Sequence, residues 1–338
     1  MNAQAPASAA AAMTLGEGAG RIGAHRFSHE AMATVFEVIC VHEDADYAAQ
    51  GAQAAFDLVD RLERELSRFV PNSDVSRINA LGHGQTTRVS PTTMECLEIG
   101  WRMHSLTDGV FDISIGSGLD QLELVPDRRV VRARGDGVRL DLGGIGKGYA
   151  IDSAAELLED WEISSVLVHG GFSSVLARDP PPGRDGWPLT LTAPWREQDA
   201  PRTRISARHM ALSASGTRKG DHVHDPLRGG AVKDRAAWAV LSHGPAADGD
   251  WRDAGRWPAT VAEALSTAFM ILPVHQIAAL CHRGPGLEAW LAGEVPGRDE
   301  PGVDLVRVAP DRTLAGIRQT GLPHESDDCL VGGETKRC

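Results

Sequence analysis

Leu140-Asp141-Leu142-Gly143-Gly144-Ile145-Gly146-Lys147-Gly148-Tyr149-Ala150-Ile151-Asp152 is the stretch on which the reading of this chain turns. The alternation Val138-Arg139-Leu140-Asp141-Leu142 predicts a short strand, and a helical pattern of apolar residues runs from Tyr149 to Leu158. Between them stand four glycines in six residues. A strand that enters a helix through such a turn presents bare backbone N–H groups and a helix N-terminus, a setting suited to an anion. Lys147 adds a mobile positive charge. The residue order is not a Walker A loop, which needs Lys and then Ser or Thr after the last glycine, nor is it G-x-G-x-x-G. On these residues alone, a phosphate site and a tight turn without ligand stand equal.

The composition is that of a soluble globular chain, with 42% apolar and 24% charged residues among 338. A net charge of −12, with no basic cluster to offset it, argues against a nucleic-acid partner. Five scattered cysteines without a C-x-x-C pair fit reduced thiols, and so a cytoplasmic protein, better than a disulfide framework. Residues 1–20 are rich in Ala, Gly and Ser and lack the order of a signal peptide, and no apolar run reaches membrane-spanning length. A disordered tail is expected over 1–22, a single domain over 23–318, and a flexible tail over 319–338.

Elsewhere, Val35–Val41 reads as a strand. Phe56, Val59, Leu62, Leu66 and Phe69 recur at helical spacing, which predicts a helix over 46–69 ended by Pro71. A second helix is expected over 92–105 behind Ser90-Pro91, and a third over 259–271 behind Pro258. Strands are expected at 165–169, 189–192 and 237–242, with a Pro/Gly-rich loop over 179–187. Strands and helices mix without a β-α repeat, so the fold class is α+β.

Four constellations could carry chemistry. Glu263 and Thr267 lie four apart on one helix face. They are either solvated surface or two oxygen ligands for a hard cation such as Mg²⁺; their apolar neighbours make the pair half-buried, and a half-buried carboxylate needs a partner. His222 and His224, two apart, share a face if extended, which allows a metal pair, a general base or a plain surface imidazole. Ser213-Ala214-Ser215-Gly216-Thr217 lacks the G-x-S-x-G elbow and reads as a hydroxyl-rich turn. Asp112, in Phe111-Asp112-Ile113-Ser114-Ile115-Gly116, is either a satisfied buried carboxylate or part of a site.

In this order the pieces resemble one family, the ApbE-type FAD:protein FMN transferases, over residues 25–315. Met32-Ala33-Thr34 is similar to its M-G-T start, and Ser67-Arg68-Phe69 with Ser73-Asp74-Val75-Ser76-Arg77-Ile78-Asn79 to its S-R-F…S-x-[IVL]-S-R-[IL]-N segment. Gly109–Gly116 resembles G-A-F-D-[PI]-T-V-G, and Leu140–Asp152 resembles L-D-L-G-G-I-A-K-G-Y-A-V-D. Val168-His169-Gly170-Gly171 resembles V-N-x-G-G, Ser215-Gly216 an S-G turn, His222–Pro226 H-I-[IL]-D-P, and Glu263–Ala268 D-A-L-[AS]-T-A.

The resemblance implies an α+β, ApbE-like (T-fold-related) fold of mixed or antiparallel sheets flanked by helices. It implies an enzyme that binds FAD, uses Mg²⁺ at the diphosphate, and transfers FMN to a Thr or Ser hydroxyl of an acceptor flavoprotein, releasing AMP. Carried over position by position, the metal ligands are the Gly144 carbonyl, Glu263 and Thr267. Met32, Phe69, Asp141, Lys147 and Val223 fall on flavin- and phosphate-contacting positions, and His222 on the candidate base. The rivals are a hydrolase cleaving FAD to FMN and AMP, and a flavin-binding protein without chemistry. The chain departs from the pattern with Glu263 for Asp, Ala33 for Gly, and a short connection that brings Asp141 only 29 residues after Asp112.

Overall fold

The computed structural model describes residues 12–15, 24–171, 173–192, 203–216, 229–230, 232, 235–242, 251–293, 306–309 and 312–316. In chain order come β1 (Ala12–Leu15), β2 (His25–Ala31) and β3 (Thr34–Cys40), then helices α1 (Ala45–Leu66) and α2 (Asp74–Asn79). β4 (Thr86–Arg88), α3 (Pro91–Leu106), β5 (Leu122–Val125) and β6 (Val130–Ala133) lead to α4 (Gly146–Asp160). Next are β7 (Val166–Gly170), β8 (Ser174–Ala177), β9 (Trp187–Thr192), β10 (Thr203–Ala207), β11 (Met210–Gly216) and β12 (Arg235–Ser242). α5 (Arg252–Arg256), α6 (Pro258–Phe269) and α7 (Val274–Arg283) precede β13 (Leu287–Gly293), β14 (Val306–Ala309) and β15 (Arg312–Gly316). β1 falls within residues 1–22, the stretch read as a tail, and pairs antiparallel with β9.

Nine strands form one antiparallel sheet in the order β15-β14-β13-β12-β11-β8-β7-β3-β2. Alternate side chains divide two cores between its faces. Phe36, Val38, Val168, Leu176, Ala237 and Ala239 meet the helices on one face; Ile39, Leu167, Val175, Trp238 and Trp290 meet Trp187, Leu189 and Leu191 of β9 on the other. The α+β expectation holds, with helices packed on an antiparallel sheet. The short connection after Gly116 folds as the β5–β6 hairpin, completed to three strands by β4.

α1 begins at Asp44, whose carboxylate accepts from the Asp46 and Tyr47 N–H groups, and buries Ala48, Ala52, Ala55, Phe56, Val59 and Leu62. It ends at Leu66, three residues before the expected Phe69 and well before Pro71. Ser73 Oγ donates to the Ser67 carbonyl at 2.6 Å and turns the chain out of the helix, so Phe69 is 75% exposed instead of joining the core. Residues 138–142, expected as a strand, make no ladder. Leu140 instead exchanges both backbone hydrogen bonds with the side chain of Asn79, at 2.6 and 3.0 Å. Val138, Leu140 and Leu142 are buried as the alternation requires. Ser213–Gly216 is likewise part of β11, not a turn.

On the face away from the helices, Glu37 of β3 accepts a two-pronged hydrogen bond from Arg26, both at 2.8 Å, and pairs with His169 at 2.5 Å. The His169 hydrogen bond, more than Arg26, holds the Glu37 carboxyl below its ordinary value, against the upward push of burial. A depressed carboxyl stabilises the fold above its unfolded pKa, about 4.3, and loses that contribution as pH falls through the folded value. The thermal midpoint is therefore expected to drop on acidification below about pH 4.3, and Glu37→Gln to flatten that part of the profile. A Glu37→Gln profile as steep as that of the parent chain would assign the acid lability elsewhere.

Candidate functional site

α4 starts earlier than the apolar pattern suggested, at Gly146, so Lys147 and Gly148 belong to its first turn. No side chain of its own caps it: the N-cap residue is Ile145. Helix N-termini leave N–H groups without partners, and a cation in the first turn opposes the helix dipole. Both deficits are met by one residue from α6. Glu263 Oε2 accepts from the Gly148 N–H at 2.7 Å, and Oε1 accepts from Lys147 Nζ. Glu263 is only 4% exposed, so the half-buried carboxylate expected from its neighbours has its partner.

α6 has the same deficit and the reciprocal remedy. Its N-cap position is Trp257, which offers no capping side chain, and Pro258 opens the first turn. Asp152, one turn along α4 from Gly148, accepts from the Ala259 N–H at 2.9 Å, the Thr260 N–H at 2.8 Å and Thr260 Oγ1 at 2.7 Å. Each helix thus caps the other with a carboxylate from its second turn. Burial pushes the Asp152 carboxyl up to about 7, and the three donors pull the other way. Tyr149 stacks on Trp257 with ring centroids 4.6 Å apart and donates to Glu95 at 2.7 Å, tying the same junction to α3. Gly148 lets the helices touch: a Cβ there would lie 2.5 Å from the Ala259 carbonyl oxygen.

Thr267 lies one turn below Glu263, half-buried; its hydroxyl donates to the Glu263 carbonyl at 3.2 Å and stands 3.3 Å from Ser215 Oγ. Ser215 also meets Ser266 at 2.9 Å, and Ser213 meets Ser174 at 2.9 Å. These hydroxyls tie β8, β11 and α6 together by hydrogen bonds, the structural role that the missing G-x-S-x-G elbow favours for Ser213 and Ser215. Asp141 accepts from the Gly143 N–H at 2.8 Å and from Arg68 at 2.7 Å. The Arg68 guanidinium lies 4.1 Å over the exposed Phe69 ring. One chain of contacts therefore runs from Phe69 through Asp141 to the glycine turn, and from Lys147 and Gly148 to Glu263 and Thr267. Gly144 stands in that turn with the Phe111 ring against it, 3.0 Å from where a Cβ would be.

Asp112 proves structural. Its carboxylate accepts from the Ser114 N–H and Oγ and from the Gly116 N–H, at 2.7, 2.7 and 2.8 Å. That loop is joined to the site by the Asp141 N–H, which donates to the Ile113 carbonyl at 2.8 Å. Met32 lies in the two-residue turn between β2 and β3, partly buried against the main core. With φ of 50° and 55°, Met32 and Ala33 adopt the left-handed conformation that such a turn demands, at a cost of about 1 kcal/mol each. His222, Val223 and His224 lie outside the described residues.

Asp152 and Asn79 are the contributors that sequence reasoning missed as parts of the site, and Ser215 was read as part of a turn. Asp152 closes the glycine-rich motif, Asn79 ends a motif, and Ser215 belongs to an S-G motif; nothing in those segments pointed to the contacts they make. Among the described residues no three His, Cys, Asp or Glu side chains cluster as a metal site would require. A metal here would instead rest on one carboxylate, one hydroxyl and one carbonyl. All three are hard oxygen donors, the chemistry that suits Mg²⁺. In that respect the residues fit.

With that geometry in view, the sequence model of the ApbE family matches residues 32–291. A protein of Vibrio cholerae named FAD:protein FMN transferase is 21% identical over 244 residues, which span 60% of this chain and 72% of that one. Its namesake from Klebsiella pneumoniae is 23% identical over 243 residues, 60% of this chain and 68% of the relative. The solved structure of flavin transferase ApbE from Vibrio cholerae superposes with a TM-score of 0.69 at 17% identity, covering 85% of this chain and 98% of that one. At that identity the likeness concerns the fold.

Proposed function

This chain belongs to the ApbE family, and from that premise we propose that it is a flavin transferase, moving FMN from FAD to a Thr or Ser hydroxyl of an acceptor flavoprotein and releasing AMP. The observation that carries the reading is the junction of Lys147, the Gly148 N–H and Glu263. There the N-terminus of α4, a lysine and a carboxylate converge beside a glycine turn. Because Glu263 already takes the Gly148 N–H, a dinucleotide diphosphate would rely on the remaining hydrogens of Lys147 and on the glycine turn, with Glu263 as the anchor for its counter-ion.

The assignments follow from the chemistry of the groups. Gly144, Glu263 and Thr267 would hold the cation by carbonyl, carboxylate and hydroxyl oxygens. Bound there, a divalent ion neutralises phosphate charge and makes the phosphorus a better electrophile. Lys147, held by Glu263, is free to turn its remaining ammonium hydrogens to a phosphate oxygen. Phe69, exposed and stacked by Arg68, offers a ring face to the isoalloxazine, and Met32 is assigned to the flavin on the family pattern alone. Val223 contacts the flavin or phosphate on the family pattern alone. His222 takes the proton of the acceptor hydroxyl as its oxygen bonds to the flavin-side phosphorus; the P–O bond of the diphosphate breaks and AMP leaves. His222 follows Gly216, the end of β11, by six residues. We read the protein as cytoplasmic on its buried free thiols Cys40, Cys96 and Cys281; no helix among the described residues is long and apolar enough to cross a membrane.

The test is direct. Protein mixed with FAD, Mg²⁺ and a competent acceptor flavoprotein is expected to give a fluorescent acceptor band in a denaturing gel, with one AMP released per flavin attached. AMP released at the same rate without acceptor would identify a hydrolase instead. A yellow protein that forms neither band nor AMP would be a binder only.

A further inference from the structure

Glu263 and Thr267 can act together with the glycine turn only if α6 sits at one fixed height against α4. The capping exchange sets that height. Asp152 is 1% exposed and lies outside the proposed ligand set, yet it takes three hydrogen bonds from the first turn of α6. Ala259, one of its two partners, precedes Glu263 by one helical turn, so an axial slip of α6 at Asp152 moves Glu263 by the same amount. The second contact of the exchange, Glu263 to Gly148, closes the loop. Two helices pinned at both points cannot slide, and Mg²⁺ tolerates little error in ligand position. An apolar residue at 152 could fill the space; it could not define the register, because packing without hydrogen bonds has no fixed direction.

We infer that Asp152 is a positioning residue for the divalent cation, holding α6 in the register that presents Glu263 and Thr267 to the glycine turn. The inference rests on the flavin-transferase reading and assigns a role to a residue that touches neither substrate nor metal. Asp152→Asn tests it sharply. An amide has one acceptor oxygen, so its NH₂ must face an N–H of Ala259 or Thr260, donor against donor. Thr260→Val is the milder probe, removing one of the three bonds in a residue of the same shape. Thr260→Ser keeps the hydroxyl.

Mn²⁺ binding, followed by the electron paramagnetic resonance of free Mn²⁺ in the presence of FAD, needs no turnover. Asp152→Asn is expected to weaken it about tenfold, Thr260→Val by a smaller factor, and Thr260→Ser to restore the parent value. FAD binding without metal, read by flavin fluorescence, is expected to change less than Mn²⁺ binding, because Phe69 lies outside the capping exchange and Lys147 keeps its place in α4. In turnover, the Mg²⁺ concentration for half-maximal rate should rise while kcat at saturating Mg²⁺ holds. Parent-like Mn²⁺ affinity in folded Asp152→Asn overturns the inference. If that variant does not fold, parent-like affinity in Thr260→Val overturns it equally. A parent chain that binds no Mn²⁺ in the presence of FAD sinks the transferase reading, and this inference with it.

Discussion

Glu263→Ala is expected to lower flavin transfer by about a thousandfold or more, the scale seen when a preorganised electrostatic partner of the reacting group is removed. Three losses coincide in this one residue. The cation loses its only carboxylate ligand among those proposed. Lys147, 23% exposed in its side chain, is left at the positive end of α4 without its carboxylate partner. The buried Gly148 N–H loses its acceptor, which costs about 1–3 kcal/mol of stability. Single-turnover transfer and urea unfolding read these separately. Glu263→Gln divides them further: its amide oxygen can still accept from Gly148 while its NH₂ faces Lys147, so part of the stability should return while transfer should not. A Glu263→Ala protein with transfer within tenfold of the parent would remove Glu263 from the mechanism.

Gly148→Ala is the second large effect, and its cause is steric. The added Cβ would stand 2.5 Å from the Ala259 oxygen, 2.7 Å from its carbonyl carbon and 2.7 Å from Thr260 Cα. All three are backbone atoms in the first turn of α6, so no side chain can swing aside. The helices must separate. Overpacking of this kind costs about 1–3 kcal/mol, with this case at the upper end, and separation also draws Glu263 from Gly148 and Asp152 from Ala259. A one-carbon change should therefore lower the urea midpoint and weaken the proposed cation site together. Gly146→Ala, two residues away with nothing within 4 Å of its Cβ, is the matched control and should be near neutral. Equal behaviour of the two variants would show that close helix contact is not what Gly148 provides.

Much of the site was legible because it is built from local motifs. The glycine turn, Lys147, and the four-residue spacing of Glu263 and Thr267 are properties of short segments, and the structure places those segments side by side. The exposed position of Phe69 was only half legible. Its helical spacing from Leu62 and Leu66 pointed to the core, and the motif resemblance pointed to a ligand. The bond from Ser73 to Ser67 ends α1 early and leaves the ring in solvent. The strand expected before the glycine turn failed for a related reason. Alternation reports which side chains are buried, not what the backbone pairs with, and at Leu140 a single asparagine side chain replaces the neighbouring strand.

By itself the sequence determined the α+β class and the family, and it named the residues to which the proposed phosphate, flavin and cation roles are assigned. Periodicity, glycine spacing and ordered motifs are carried along the chain and survive without its folding. Only the tertiary structure decided that α4 and α6 cap each other, that Asp152 is the reciprocal of Glu263, and that Gly148 is a contact point between two backbones. Those facts join residues 107 to 116 positions apart in the chain. A helix N-terminus must find its missing acceptor somewhere, but nothing in its own few residues says which distant carboxylate will supply it.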